Sequence, residues 1–232
     1  MIGPMGKEKC AFTLIEILAV IAVIGILAGL LFPSVGNMID RARKMEDASN
    51  MRQIAIAYMN YLHDNYDRRD VAQCKNLYEF ANVLARRGYL DSPEVYFSNS
   101  DPLVSSSRLK KPKLIGKANG GPWRPSDDFL KFPLSVVVVT NISAGAPAST
   151  TPIIYSRGLD VNTGAWKKDG MYGEEGGFIA FLDGHVRFFN NVTDEESQML
   201  SFYTGDSTTR LPDALNHGAK ALSSSGVEWE SK

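Results

Sequence analysis

Glu16 is the one charged residue between Lys9 and Asp40. It sits near the start of an apolar run, Phe12 to Phe32, of 21 residues. As a helix that run is roughly 31 Å long at ~1.5 Å per residue, close to the ~30 Å of a bilayer's hydrocarbon core. A carboxylate in such a span costs up to ~3 kcal/mol at the bilayer centre and less toward the interface. An acid in apolar surroundings is driven to find a cation, so the chemistry expected of Glu16 is charge pairing. Two other groups could do chemistry. Asp160, Asn162 and Thr163 alternate oxygen donors ahead of Gly164, as loops for hard cations such as calcium do. Met171 stands where an EF-hand loop carries its twelfth-position Glu, and a plain turn accounts for the same residues without an ion. Asp183 and His185 flank Gly184 and invite a metal or acid–base reading. A hairpin places Asp183 in the turn and His185 on the return strand, which favours turn chemistry. The three histidines, His63, His185 and His217, lie in no GxSxG, HExxH, Walker A or Rossmann context, so nothing argues for an enzyme.

The elements that would hold these residues are legible in outline. Pro33 lies past the apolar run, where it removes a hydrogen bond and favours a kink. Beyond it Val35, Met38, Ile39, Ala42, Met45, Ser49, Arg52, Ala55, Ile56 and Met59 recur at threes and fours, with Arg52 the one misfit. Asp40, Arg41, Arg43, Lys44, Glu46 and Asp47 fill the other face. This predicts one helix of about fifty residues ending near His63, roughly 75 Å long. Asn76 to Gly88 reads as a second helix with Gly88 as its C-terminal cap. Val95–Phe97, Leu134–Asn141, Pro152–Arg157, Gly177–Leu182 and His185–Phe189 read as strands. Asp183-Gly184 is a two-residue hairpin signal of the type I′ kind. Thr193 to Glu196 fits a capping box opening a short helix toward Phe202. The last thirty residues, rich in Ser, Gly and Thr, read as irregular. Ser105 to Pro125 carries Arg108, Lys110, Lys111, Lys113 and Lys117 and reads as a solvated basic connection, with a DNA- or lipid-headgroup-binding loop as the alternative.

AFTLIE followed by this apolar run resembles the cleavage-and-methylation signal of type IV prepilins and type II secretion pseudopilins. The resemblance implies that a prepilin peptidase cuts between Ala11 and Phe12, that the new Phe12 amine is N-methylated, and that Glu16 is the family's assembly glutamate. Pro33 falls where the family often bends its helix. Ala11 departs from the Gly usual before the cut. A secretory signal peptide would carry a shorter apolar region with its cleavage site after it, and a plain signal anchor leaves Glu16 and Pro33 unexplained. GGFIAFLDGHVRFF, Gly176 to Phe189, resembles the C-terminal motif of a bacterial pilin-like group, although Gly173 stands where many members have His. Related chains often read CPSD where this one has Asn99, Ser100 and Asp101.

These readings give an α+β fold: a long N-terminal helix, transmembrane in one half and amphipathic in the other, with a small antiparallel-sheet head. Residues 1–11 are the expected leader, 12–33 the transmembrane and assembly helix, and 34–64 its amphipathic continuation. Residues 65–232 form the α/β head with an irregular C-terminal tail. Loss of the leader takes the formal charge from −1 to −2, so no nucleic acid partner is expected over the whole surface. Cys74 would be the lone mature cysteine and reads as a packing residue. The resemblance implies a structural subunit of a pilus-like filament, most simply a type II secretion pseudopilin. It also implies a single-pass inner-membrane precursor whose head lies in the periplasm. Its partners would be copies of itself, related pseudopilins, the peptidase, an assembly platform and, before assembly, membrane lipid. No cofactor is implied apart from calcium at Asp160 and Asn162. The alternative is a signal-anchored binding or enzyme domain that does not polymerise.

Overall fold

The computed structural model describes residues 13–64, 68–117, 123–193 and 197–231, without the side chains of 30–35 and 37. Helix α1 runs Leu14–Asp64 over 51 residues. It is followed by the short helix α2, Arg69–Ala72, and by α3, Leu77–Arg86. Short helix α4 is Pro102–Ser105. Two-residue strands β1, Gly116–Lys117, and β2, Arg124–Pro125, pair with each other ahead of α5, Asp127–Lys131. The remaining strands are β3 Val136–Thr140, β4 Pro152–Ser156, β5 Gly177–Phe181, β6 Val186–Phe189, β7 Lys220–Ser223 and β8 Gly226–Glu230. They form one antiparallel sheet in the order β6-β5-β4-β3-β7-β8. The contacts divide the chain into two compact units, residues 1–43 and 44–232.

In the first unit the described side chains of α1, from Leu14 to Leu27, are apolar apart from Glu16 and exposed around the helix. Among the described residues no helix is long and apolar enough to cross a membrane. The described side chains of the apolar run stop at Gly29, short of the ~20 residues a span requires.

In the second unit the core joins the distal half of α1, α3 and the sheet. Met51, Ile54, Ala55, Tyr58, Tyr61 and Leu62 of α1 pack in one cluster with Leu77, Phe80, Ala81 and Leu84 of α3 and with Val137, Ile154 and Ile179 of the strands. Tyr58 meets Phe80 edge-on, centroids 5.1 Å apart, a geometry that adds to burial for aromatic pairs. The apolar positions of α3 recur at helical spacing. Its start is fixed by Asn76, whose side chain accepts from the Glu79 amide at 2.9 Å. Its end is fixed by Gly88 at φ +79°, where the Tyr89 amide reaches back to the Leu84 carbonyl at 3.0 Å.

Four expectations are corrected here. The buried stripe of α1 carries Asp47, Met51, Ile54, Ala55, Tyr58, Tyr61 and Leu62, while Met38, Ile39, Met45 and Ile56 are exposed. The tyrosines are buried because their rings pack in the core with α3 and the sheet, and Asp47 because it accepts from the Tyr172 and Ser100 hydroxyls. Val95–Phe97 is not a strand: Pro93 opens a 3-10 turn over Pro93–Tyr96. Residues Ser197 to Phe202 are not helical; Leu200 is bridged to Ser207 instead. The rest of the expected capping box, residues 194–196, lies outside the described residues. The C-terminal tail is not irregular, since β7 pairs with β3 inside the sheet and buries Ala221 and Leu222 completely.

Candidate assembly and processing site

Thr13 and Glu16 open α1 as a capping pair. The Thr13 amide and hydroxyl donate to Glu16 Oε2 at 2.8 and 2.7 Å, and the Glu16 amide donates to Thr13 Oγ1 at 3.4 Å. The sequence Thr-x-x-Glu before an apolar run builds this arrangement, because a helix start leaves amides without intrahelical partners. Both donations reach one carboxylate oxygen, Oε2, and among the described residues Oε1 has no hydrogen-bond partner. Leu14, Ile15, Ile17 and Leu18 around it are exposed. Ala11 and Phe12 lie outside the described residues. Pro33 lies inside the unbroken span of α1, and its side chain is outside the described ones.

The FLDGHV segment is a hairpin, and its turn corrects the expected one. The pairing Ala180 with Val186, and the Phe181 amide bonded to the His185 carbonyl at 3.0 Å, leave a three-residue loop of Leu182, Asp183 and Gly184. The Gly184 amide returns to the Phe181 carbonyl at 2.9 Å, and only Gly184 has a positive φ, +85°. This is the three-residue connection with a left-handed last position, not a two-residue type I′ turn. Asp183 Oδ1 accepts from the His185 amide at 3.0 Å and touches His185 Nδ1 at 2.5 Å. The His185 ring stacks on Phe181, centroids 4.3 Å apart. Both side chains are therefore held by the turn. A Cβ at Gly184 would come 3.5 Å from Ile56 and 3.7 Å from Met59, so the loop abuts the distal half of α1.

Asp160 also acts locally. Its Oδ1 accepts from the amides of Asn162 at 3.0 Å and Thr163 at 3.3 Å, and its carbonyl accepts from the Gly164 amide at 2.8 Å. These amide bonds, the Asn162 one foremost, hold its carboxyl below the usual range. Asn162 lies in the same turn. Among the described residues no three His, Cys, Asp or Glu side chains gather as a metal-ligand set.

Two polar clusters escaped sequence reasoning. Asp101 is fully buried and takes Arg157 in a bidentate pair, Nη2 to Oδ1 at 2.7 Å and Nε to Oδ2 at 3.1 Å. It also caps α4 by accepting from the Leu103 amide at 2.9 Å. The Asp-Pro dipeptide signals the cap, but nothing local signals the arginine 56 residues away. Asp47, on α1, accepts from the Tyr172 hydroxyl at 2.6 Å and the Ser100 hydroxyl at 3.1 Å. Burial raises its carboxyl above the usual range, against the lowering effect of those bonds. Beside it Lys44 lies 4.5 Å over the Phe188 ring and 3.5 Å from Glu175.

A family model for the prokaryotic N-terminal methylation motif matches residues 6–32. The chain carries a prokaryotic N-terminal methylation motif. It is also similar to the type II secretion system core protein G of Pseudomonas aeruginosa, with 37% identity over 60 residues. That alignment covers 26% of this chain and 42% of the relative, so the likeness spans under half of either protein. No solved structure matches significantly. The motif match falls on the region that holds Thr13, Glu16 and the first part of the exposed apolar helix.

Proposed function

We propose that the chain is a structural subunit of a pilus-like filament, of the pseudopilin kind that serves type II secretion. In this reading the precursor sits in the inner membrane by residues 12–33 with its head in the periplasm. A prepilin peptidase cuts between Ala11 and Phe12, and an assembly platform moves the subunit from lipid into the filament. The observation that carries the reading is the start of α1. A methylation motif leads into an apolar helix surface whose one acid, Glu16, is pre-oriented by Thr13 and, among the described residues, has no partner at Oε1. A cation brought there in an apolar setting gains more than it would in water. The Phe12 amine of a neighbouring copy is the cation this reading supplies, which makes Glu16 a register key and not a catalyst. Pro33 removes a backbone hydrogen bond and so favours a bend in this helix.

The deciding experiment pairs two measurements on cells that contain an active prepilin peptidase. Mass spectrometry of the membrane-extracted protein should find methylated Phe12 as the first residue. Glu16→Ala should leave membrane insertion intact and abolish filaments seen by electron microscopy. A protein that starts at Met1, or filaments at wild-type level in Glu16→Ala, sinks the proposal and leaves a membrane-anchored domain with its own function.

A further inference from the structure

We infer that residues 102–117, together with Arg124, form a docking surface for an anionic lipid bilayer. Arg108, Lys110, Lys111, Lys113, Lys117 and Arg124 fall between Asp101 and Asp127 with no acidic residue among them. The chain as a whole is −1, so the rest of it carries −7 against this +6. None of the six cations forms a salt bridge to a carboxylate among the described residues. Among the described residues Lys111 is the one of the six with a side-chain partner, donating to the Asn99 side chain at 2.6 Å beside the Phe97 ring. The segment is nevertheless pinned: Val104, Pro112 and Ile115 are buried, and the Ser126 amide and hydroxyl hold the Ile115 and Leu114 carbonyls at 2.8 Å. Leu103, Leu109 and Leu114 stay outside, 51%, 49% and 41% exposed, interleaved with the cations.

Three kinds of partner bear negative charge, and the residue types choose among them. Single-stranded nucleic acid is held by aromatic platforms, and the one aromatic residue between Asp101 and Asp127, Trp123, is half-buried against the core with its indole N–H donating to Asn82 Oδ1 at 2.7 Å. Protein interfaces are depleted in lysine, and four of the six cations are lysines. Exposed leucines among lysines suit the headgroup–acyl boundary, where the apolar side chains enter and long lysine stems keep their charges at the phosphates. Juxtamembrane basic clusters bind anionic lipid with about fivefold in binding for each cation.

The inference rests on the membrane-anchored precursor proposed above, and the test separates the two. The full chain, with Cys10→Ser and Leu109→Cys, is labelled at residue 109 with an environment-sensitive dye and reconstituted into vesicles bearing acyl-brominated lipid. A second label at Leu18→Cys reports anchorage, and a third at exposed Val227→Cys on β8 reports non-specific contact. In vesicles with about a third phosphatidylglycerol the 109 label should be quenched several-fold more than in pure phosphatidylcholine. The difference should vanish at 1 M salt, where screening acts within ~3 Å, and in the Lys110→Glu, Lys111→Glu, Lys113→Glu variant. Equal quenching in both lipids, quenching of the 227 label to the same degree, or no quenching at 109 while a DNA duplex shifts its emission would each overturn the inference. Quenching at 18 with none at 109 overturns it while leaving the anchor intact; no quenching at 18 strikes the anchor itself.

Discussion

Arg157→Met tests whether the head depends on its buried ion pair. Asp101 has no exposed surface, and the Arg157 side chain is 16% exposed, so solvent screens the pair little. In the variant the Asp101 carboxylate keeps the Leu103 amide and loses both guanidinium bonds. Removing one partner of a buried pair costs about 3–5 kcal/mol, because the remaining charge stays desolvated. Its retained amide bond and the thin exposure of Arg157 place this case at the low end, about 3 kcal/mol. For a domain near two hundred residues this is a drop of roughly 6–12 °C in Tm. Thermal unfolding of the detergent-solubilised full chain, followed by tryptophan fluorescence, reads the shift. Adding Asp101→Asn removes the orphaned charge and keeps a good N-cap residue, so the double variant should be more stable than Arg157→Met alone. A loss below ~1 kcal/mol for the single variant, or a double variant equal to the sum of the two singles, would falsify the argument.

Three further outcomes follow from particular residues. Asp47 has a native carboxyl raised by burial, so the native state binds its proton more tightly than the unfolded chain does. Its contribution to stability therefore falls as pH rises from the usual carboxylate value through the raised one. Asp47→Asn, which keeps an acceptor for Tyr172, should be neutral or stabilising at pH 7 and flatten that slope in Tm measured from pH 4 to 8. Asp47→Ala should cost about 1–3 kcal/mol at pH 7 by orphaning the two hydroxyls. Gly184→Ala has room for its Cβ but must hold φ near +85°. It should lose about 1–2 kcal/mol and Gly184→Asn less, a ranking that urea unfolding can check. The Cys74 thiol, buried and pushed up to about 12, should resist iodoacetamide at pH 8 in the folded protein and react once urea unfolds it.

What the sequence made legible was local. The Asn76 cap, the Gly88 terminus and the buried runs of β3, β4 and β5 follow from residues within a few positions of each other, and each lies where the pattern puts it. The phase of α1 beyond Asn37 did not follow, because Met38 and Met45 look like core by hydropathy while Tyr58 and Tyr61 look amphipathic. The choice is made by Phe80 and the sheet, which are distant in sequence. Strands β7 and β8 were hidden for a related reason. Ser223 to Gly226 looks like loop composition, and Lys220, Glu228 and Glu230 dilute the apolar pattern of two strands that gain order from β3. Of the candidate site, Thr13 and Glu16 could be read as one capping unit from their spacing. The partnership of Asp101 with Arg157 could not, since no local rule relates a helix cap to the end of a strand.

The place of β7 governs when the head can become itself. β3 has β4 on one side and β7 on the other, and β7 is drawn from Lys220–Ser223. As the chain emerges from a ribosome or translocon, residues 136–223 must all have passed before that second edge of β3 is closed. Contacts of such long sequence separation form late and slowly. The apolar N-terminal helix, by contrast, is available from the first moments of synthesis. The nascent chain thus carries its N-terminal helix long before its sheet is complete, and it exposes the open side of β3 for most of its emergence. A nonsense codon anywhere before Lys220 would leave a chain with a permanently unfinished sheet, a substrate for quality-control proteases and not a shorter working protein.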